Sequence, residues 1–261
     1  MDYQYLKVSE AGGVLTVRLN RIDARNALSL GHMKELTDVA RAYRTAPHIH
    51  AVILTGTDKY FSAGADLAER LPKDETILEK RQRVLGGPDM CKAWAEMEPV
   101  TIAAIEGYCI GGGVALVTSC DFRIAGKSGS LRLPEVPLGI NMSWRSIPRL
   151  TALMGPSRAK QFVMFGEALD ASTCLDWGLV DEIAPDEGAY KAALKWAEKV
   201  GNLPPLPVRM TKEAVDAAAG MNDPAPTFMD RDQYLLTAGS NDFKEGVKSF
   251  FEKRDPEFKG N

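Results

Sequence analysis

Residues 100–113, which read VTIAAIEGYCIGGG, decide the fold class of this chain. The first six residues are apolar or β-branched, which predicts a strand covered on both faces. Three glycines at 111–113 and the apolar residues 114–119 then predict a helix that is opened by glycines. Residues 121–125 (DFRIA) predict the next strand. This order of strand, helix and strand indicates a βαβ unit in a parallel sheet and therefore an α/β protein.

The same alternation extends toward the N-terminus. Residues 13–19 and 50–56 predict strands, and residues 26–44 between them carry apolar side chains at helical spacing. Residues 76–98 look helical at both ends, with Leu-Gly-Gly-Pro at 85–88 as an interruption. The first half of the chain therefore predicts the sheet core.

Helical patterns dominate the chain after Pro137. They cover residues 146–154, 157–165, 187–200, 207–219, 225–238 and 242–253, and only residues 179–183 resemble a strand. We therefore predict a core over residues 1–190 and a helical C-terminal region over residues 191–261. The segment LPPLP at 203–207 is the best candidate for a boundary, because consecutive prolines stop helices.

Composition excludes several functional classes for this chain of 261 residues. The net charge of -3 argues against nucleic-acid binding, which usually shows a basic excess. No two of the four cysteines have CxxC spacing, so neither a zinc site nor a thioredoxin-like motif is indicated, and we expect reduced core thiols. The N-terminus resembles no signal peptide, and no apolar run approaches the roughly 20 residues needed to span a bilayer. We expect a cytoplasmic protein without a membrane partner.

Two glycine-bearing loops follow predicted strands, at residues 61–67 (FSAGADL) and 107–113 (GYCIGGG). Small residues let a ligand approach the backbone, and a helix N-terminus offers unpaired N–H groups. Two such loops side by side would direct two N–H groups at one oxygen, as in an oxyanion hole. Glycines also make tight strand-to-helix turns, so the glycines alone leave both interpretations open. Neither loop has the complete phosphate-binding pattern of a nucleotide site.

One acid, Glu135, lies in the apolar stretch LRLPEVPLGI at residues 131–140. Burial raises the pKa of a carboxyl group, and such a group can move protons near neutral pH. A surface glutamate on a loop would show the same composition. The three histidines all precede the two loops without metal-ligand spacing, and there is no GxSxG motif, so neither a metal site nor a serine hydrolase is indicated.

Taken together, these segments resemble the enoyl-CoA hydratase/isomerase (crotonase) superfamily over nearly the whole chain. Residues 102–107, 111–113 and 119–122 look like the family signature. Three more segments are similar to the family: residues 61–67 to its first oxyanion segment, residues 20–28 to its early CoA-binding turn, and residues 242–254 to its C-terminal helix.

The resemblance implies a ClpP/crotonase-like spiral of ββα-type units with a helical C-terminal trimerisation region. It implies a homotrimer or a dimer of trimers and an acyl-CoA substrate, with no cofactor beyond the CoA of the substrate and no metal. It implies that the N–H groups of Ala65 and Gly112 bind the thioester oxygen. The substrate-binding residues that it implies are Ala24, Arg25, Ala63, Asp66, Leu67, Gly111, Pro134, Trp144, Phe250 and Lys253.

The chain departs from the two-glutamate pattern of the hydratases in this family. Glu135 matches the second catalytic glutamate, but Ala115 stands at the position of the first. Residues 141–146 read NMSWRS where hydratases have a glycine-rich turn. A bulky residue such as Trp144 at this place resembles the mitochondrial-type Δ3,Δ2-enoyl-CoA isomerases, which work with one glutamate.

Chemistry separates the possible reactions. Hydration needs a held, activated water and a proton for carbon, which two carboxylates share naturally, whereas moving a double bond needs one base. We therefore expect an enoyl-CoA isomerase of fatty-acid or related acyl-CoA catabolism with Glu135 as its catalytic residue. Enoyl-CoA hydratase is the alternative. Decarboxylation, thioester hydrolysis, C–C cleavage and non-catalytic acyl-CoA binding also remain open.

Overall fold

The predicted strand-helix-strand unit at residues 100–125 is present in a computed structural model, which describes residues 3–70, 75–222 and 224–261. The strands are β1 (Leu6–Ala11), β2 (Val14–Leu19), β3 (Ala51–Thr55), β4 (Tyr60–Ser62), β5 (Val100–Ile105), β6 (Tyr108–Ile110), β7 (Phe122–Gly126), β8 (Ser130–Arg132), β9 (Leu169–Asp170) and β10 (Glu182–Ala184). The α-helices are α1 (Leu30–Tyr43), α2 (Ile77–Arg83), α3 (Gly86–Ala95), α4 (Gly112–Val117), α5 (Ser146–Phe165), α6 (Ala171–Asp176), α7 (Ala189–Gly201), α8 (Pro205–Ala219), α9 (Asp230–Ala238) and α10 (Asn241–Glu252).

A six-stranded sheet in the order β1-β2-β3-β5-β7-β10 forms the centre of the fold. Its strands pair in parallel except for β1 and β2, which form an antiparallel pair. Every residue of β3 and β5 is buried, as the apolar runs predicted. Helices on both faces explain this burial: α7 packs on β3, β5 and β7 through small residues, and the main core lies on the other side.

A second sheet has the order β4-β6-β8-β9 and is absent from the sequence prediction. Its strands are three residues long or shorter, too short to show an alternating pattern. Strand β6 pairs in parallel with β4 on one side and with β8 on the other. The loops that leave the carboxyl ends of these three strands therefore lie next to one another.

The helical C-terminal part follows the prediction closely. The two helices predicted at 146–154 and 157–165 form α5, which is interrupted at Gly155, where φ is 76° and ψ is 163°. The boundary drawn at residue 190 falls inside α7, and α7 packs on the large sheet. The division into 1–190 and 191–261 stays a prediction. No helix in the described ranges is long and apolar enough to cross a membrane.

The four cysteines are buried and unpaired, which confirms the prediction of core thiols. Burial raises the pKa of the Cys91 thiol to about 11, so this side chain is an uncharged packing group at neutral pH.

Candidate active site

The candidate site lies where the carboxyl ends of β4, β6 and β8 meet. The β4 loop carries Ala65, the β6 loop leads into α4 at Gly112, and the β8 loop carries Glu135. A Cβ atom placed on Gly64 would lie 2.8 Å from the carbonyl oxygen of Ile110, so the first two loops are in contact. The small sheet thus brings together three positions that are distant in sequence.

The loop before Ala65 is fixed by Asn26, which is fully buried in a left-handed conformation. The Asn26 amide group donates to the carbonyl of Phe61 at 3.0 Å and accepts from the Arg21 N–H at 3.0 Å. The Ser62 hydroxyl donates to the Asn26 carbonyl at 2.8 Å and accepts from the N–H of Gly64 at 3.1 Å. These hydrogen bonds hold Asn26 and residues 61–64 in a fixed arrangement.

The N–H of Ala65 is left available by the pairing with Leu28. Leu28 donates to the Gly64 carbonyl at 2.7 Å and accepts from the Asp66 N–H at 3.1 Å. A parallel bridge uses the residues on either side of its centre, so the Ala65 N–H points away from Leu28. Within the described residues, this N–H has no backbone or side-chain acceptor.

The N–H of Gly112 is available because Gly112 is the first residue of α4. The first N–H groups of a helix have no intrahelical acceptor, and none is found for this one in the described part of the chain. A Cβ atom placed on Gly112 would lie 2.3 Å from the indole of Trp144, so a side chain at this position would displace the indole. That the Gly112 and Ala65 N–H groups converge on one oxygen stays a prediction.

Glu135 begins the turn that follows β8, and its carboxylate lies against the second loop. A Cβ atom placed on Gly111 would lie 2.6 Å from Oε1 of Glu135. The carboxylate is therefore adjacent to the residue that precedes Gly112. The residue is half-buried, and its Oε2 atom is shielded from solvent.

The turn that carries Glu135 rests on the last helix. A Cβ atom placed on Gly246 of α10 would lie 2.5 Å from the carbonyl oxygen of Leu138, and one placed on Gly139 would lie 2.8 Å from the backbone of Asp242. Gly139 has a φ of 82°, which favours glycine. Helix α10 therefore positions the turn through close backbone contacts.

Alanine stands at position 115, where the resemblance to the family implies a second catalytic glutamate in hydratases. Ala115 is fully buried in α4, and its carbonyl accepts from the hydroxyl of Ser119 at 2.8 Å. The residues of α4 read GGVALV and include no acid. Glu135 is thus the carboxylate that lies next to the glycine loop at residues 107–113.

Trp144 covers the second loop. Its indole lies between Gly112 and Gly87, where an added Cβ atom would be 2.0 Å from Cε2 of the ring. Trp144 and Arg145 both have left-handed backbones, with φ of 59° and 57°. The N–H of Arg145 donates to Asp230 at 3.0 Å. Burial raises the pKa of that aspartate, and the hydrogen bond from Arg145 opposes the rise.

A small cavity of about 40 Å³ lies beside Trp144. Its lining includes Ala65 and is otherwise partly apolar and partly charged. A space of this size exceeds the roughly 10–15 Å³ that one water molecule needs on this measure, so it can admit a small chemical group.

The predicted CoA-binding turn contacts the first loop through its backbone. Ala24 ends a short 3-10 helix, and Arg25 follows it with a φ of 52° and an exposed side chain. The Arg25 carbonyl accepts from the N–H of Ala63 at 3.0 Å. Asp66 forms an ion pair with Arg21 at 2.7 Å, so its side chain is occupied by the protein itself.

The remaining predicted substrate residues divide into two groups. Leu67 begins a short 3-10 helix, and the Pro134 carbonyl accepts from the Leu138 N–H within the Glu135 turn. Phe250 and Lys253 are exposed near the end of α10, and neither lines the cavity beside Trp144. Their contact with CoA stays a prediction.

Sequence reasoning missed several residues that build the site. Asn26 and Ser62 lie inside quoted segments, and an asparagine that ends a turn is a known signal for a left-handed backbone. Asp230 lies in the segment DRD at the start of α9, which looks like an ordinary solvated helix start. No local signal marks it, because its hydrogen bond with Arg145 depends on how α9 packs.

The family model described as enoyl-CoA hydratase/isomerase matches residues 9–261. The chain belongs to the enoyl-CoA hydratase/isomerase family. It is 33% identical over 260 residues to the 2,3-dehydroadipyl-CoA hydratase of Escherichia coli strain K12, with 98% of each chain covered. It is 30% identical over 259 residues to the crotonyl-CoA hydratase of Syntrophomonas wolfei, with 99% of each covered.

Solved structures of this family confirm the predicted fold. The enoyl-CoA hydratase/isomerase from Pseudoalteromonas atlantica T6c matches with a TM-score of 0.87 at 30% identity, over 98% of this chain and 100% of that one. The carnitinyl-CoA hydratase from Mycobacterium avium matches with a TM-score of 0.86 at 31% identity, over the whole of both chains. An α/β crotonase fold and an acyl-CoA enzyme follow from family membership.

Proposed function

We propose that this enzyme is an enoyl-CoA hydratase that uses Glu135 as its only catalytic carboxylate. The placement of the Glu135 carboxylate against Gly111, one residue from the available Gly112 N–H, carries the proposal. The names of the relatives support hydration over the isomerisation that we expected first, because relatives at 30–33% identity over nearly the whole chain are hydratases.

One carboxylate can complete the hydration. The oxygen of water forms a bond to C3 of a 2-enoyl-CoA, while Glu135 takes a proton from that water. The electron pair of the C2=C3 bond moves to the thioester, and the N–H groups of Ala65 and Gly112 stabilise the resulting enolate oxygen. Glu135 then gives its proton to C2. Each donor to the enolate oxygen is typically worth about 10²–10³ in rate.

Isomerisation of a 3-enoyl-CoA is the second candidate, and Ala115 favours it. The alanine provides no second carboxylate for a water molecule, and Trp144 fills space over Gly112. In this reaction Glu135 removes a proton from C2 and returns one to C4 of the same dienolate. Isomerisation would use the same carboxylate and the same two N–H groups as hydration, but no water molecule.

Separate incubations with 2-enoyl-CoA and 3-enoyl-CoA esters test the proposal. A hydratase converts the 2-enoyl ester into a product heavier by one water, with loss of the absorbance of the conjugated thioester. An isomerase converts the 3-enoyl ester into a product of equal mass, with a gain of that absorbance. Thermal stabilisation by acyl-CoA without turnover of either ester would refute both reactions and indicate a binding protein.

The proposal includes a cytoplasmic homotrimer or dimer of trimers that acts on acyl-CoA in fatty-acid or related catabolism. Exposed apolar side chains on α9 and α10, such as Leu236, Phe250 and Phe251, suit burial between subunits. Light scattering at micromolar concentration should therefore give a mass of three or six chains, and a stable monomer would contradict this part of the proposal.

A further inference from the structure

The cavity beside Trp144 has charged walls. Asp66, Glu69, Arg83 and Arg231 line it together with Ala65. Since the N–H of Ala65 is one of the two proposed donors to the thioester oxygen, the space next to it is where the acyl chain would enter. A purely hydrocarbon chain would have to desolvate these charges, which is costly for any charge that lacks a partner.

Three of these four charged side chains already have an ion-pair or hydrogen-bond partner within the chain. Asp66 pairs with Arg21 at 2.7 Å. Arg83 donates to both carboxylate oxygens of Glu75, at 2.6 and 2.9 Å. Glu69 accepts a hydrogen bond at 2.7 Å from the N–H of Leu30, which is the first residue of α1.

Arg231 differs from the other three. Its Nε atom is buried and has no hydrogen-bond partner in the described part of the chain. The nearest carboxylate oxygen, of Asp232, is 3.8 Å from Nε. That carboxylate already accepts two hydrogen bonds from Arg81, at 2.7 and 3.2 Å. Arg231 therefore lines the cavity with a guanidinium for which the described residues provide no hydrogen-bonded anion.

We propose that Arg231 binds a carboxylate at the far end of the acyl chain, so that the substrates are short acyl-CoA esters that end in a carboxylate. This inference rests on the proposed function, because it uses Ala65 as the thioester end of the site. A guanidinium matches a carboxylate with two parallel hydrogen bonds. Charged side chains in the cavity lining also suit a polar group better than a hydrocarbon chain end.

Matched pairs of substrates test the proposal in the full-length enzyme. Glutaconyl-CoA and pent-2-enoyl-CoA both have five acyl carbons, and 2,3-dehydroadipyl-CoA and hex-2-enoyl-CoA both have six. We expect kcat/KM to be at least about tenfold higher for the carboxylated member of at least one pair, since hydrogen bonds between charged groups contribute that much.

Substitutions at Arg231 should remove this preference. In Arg231→Gln the ratio of kcat/KM between the carboxylated and the neutral ester should fall about 10- to 100-fold. Arg231→Lys should keep part of the ratio, because it retains the charge but loses the two-donor geometry. Arg41→Gln removes a charge from the exposed face of α1 and should leave the ratio unchanged.

Saturated esters lack the reactive double bond, so their binding tests the carboxylate site independently of the reaction. Calorimetry with glutaryl-CoA and pentanoyl-CoA should show tighter binding of glutaryl-CoA, with the difference lost in Arg231→Gln. Equal binding of the two esters by the wild-type enzyme would overturn the inference, as would a preference that survives in both Arg231 variants. If glutaryl-CoA is preferred but no enoyl ester reacts, the proposed reaction fails and the carboxylate site stands.

Discussion

Replacing Glu135 by glutamine tests the centre of the proposed mechanism. The two side chains have nearly the same shape, so the contact with Gly111 and the turn over α10 should persist. The amide, however, cannot accept a proton at neutral pH. Loss of a positioned general base typically reduces a rate by about 10²–10⁴, which raises the barrier by about 2.7–5.4 kcal/mol.

The structure offers a matched control at Glu106. Glu106 is buried, whereas Glu135 is half-buried, and Glu106 lies beside Gly126, away from the candidate site. Its carboxylate accepts a hydrogen bond from the N–H of Ala189, the first residue of α7, at 2.8 Å. Burial raises the pKa of Glu106, and a glutamine oxygen can accept the same hydrogen bond. Glu106→Gln should therefore fold normally and keep the wild-type rate.

The assay is steady-state hydration of a 2-enoyl-CoA and isomerisation of a 3-enoyl-CoA by the wild-type enzyme and both variants, with acyl-CoA affinity measured separately. We expect Glu135→Gln to lose at least about a hundredfold in kcat while it binds acyl-CoA nearly as tightly. Undiminished turnover in Glu135→Gln would show that another group carries the chemistry. An equal loss in Glu106→Gln would show that the assay reports general damage to the fold.

Three further predictions concern stability and CoA binding. Asn26→Ala should lower the free energy of unfolding by about 2–4 kcal/mol in urea titrations, because it removes two hydrogen bonds and leaves the carbonyl of Phe61 without its donor. Burial lowers the pKa of His32 from 6.5 to about 4, so the unfolded chain binds a proton that the folded chain does not, and stability is lost as pH falls from about 6.5 to about 4. His32→Phe should reduce this loss of unfolding free energy by up to about 3 kcal/mol, which urea titrations of the wild type and the variant at several pH values measure. Arg25→Ala and Lys253→Ala should each weaken CoA binding in calorimetry, since cations pair with phosphate oxygens, and unchanged affinity in both would remove them as phosphate contacts.

The large sheet is predictable from sequence because its central strands are buried on both faces. Such strands appear as continuous apolar runs, and the helices between them keep their 3.6-residue spacing. The small sheet is not predictable in this way. Strand β6 follows β5 after only two residues, Glu106 and Gly107, so residues 100–110 look like one strand.

The site residues divide along the same line. Ala65, Gly112 and Glu135 are predictable as candidate site residues because the segments that carry them resemble motifs of the family, and the structure places the loops of those segments side by side. The cation at Arg231 is not visible, since nothing local distinguishes it from its neighbours in α9. Its proposed role depends on the packing of α9 against α2. The hydrogen bond from Arg81 to Asp232 joins these two segments, which are about 150 residues apart in the sequence.

Helix α9 carries both the residue that holds the Trp144 turn and the cation that is proposed to bind the acyl chain. Its first residue, Asp230, accepts the N–H of Arg145 and so holds the left-handed backbone that turns Trp144 over Gly112. Two successive non-glycine residues in this conformation cost roughly 1–2 kcal/mol each, so they need such a tether. The next residue is Arg231, the guanidinium that faces the cavity. Because Asp230 and Arg231 are consecutive on one helix, a substitution that displaces α9 should disturb both the hydrogen bond that holds the Trp144–Arg145 backbone and the guanidinium proposed to bind a carboxylate. The proposed recognition of the acyl chain and the packing of Trp144 over Gly112 thus depend on the same helix.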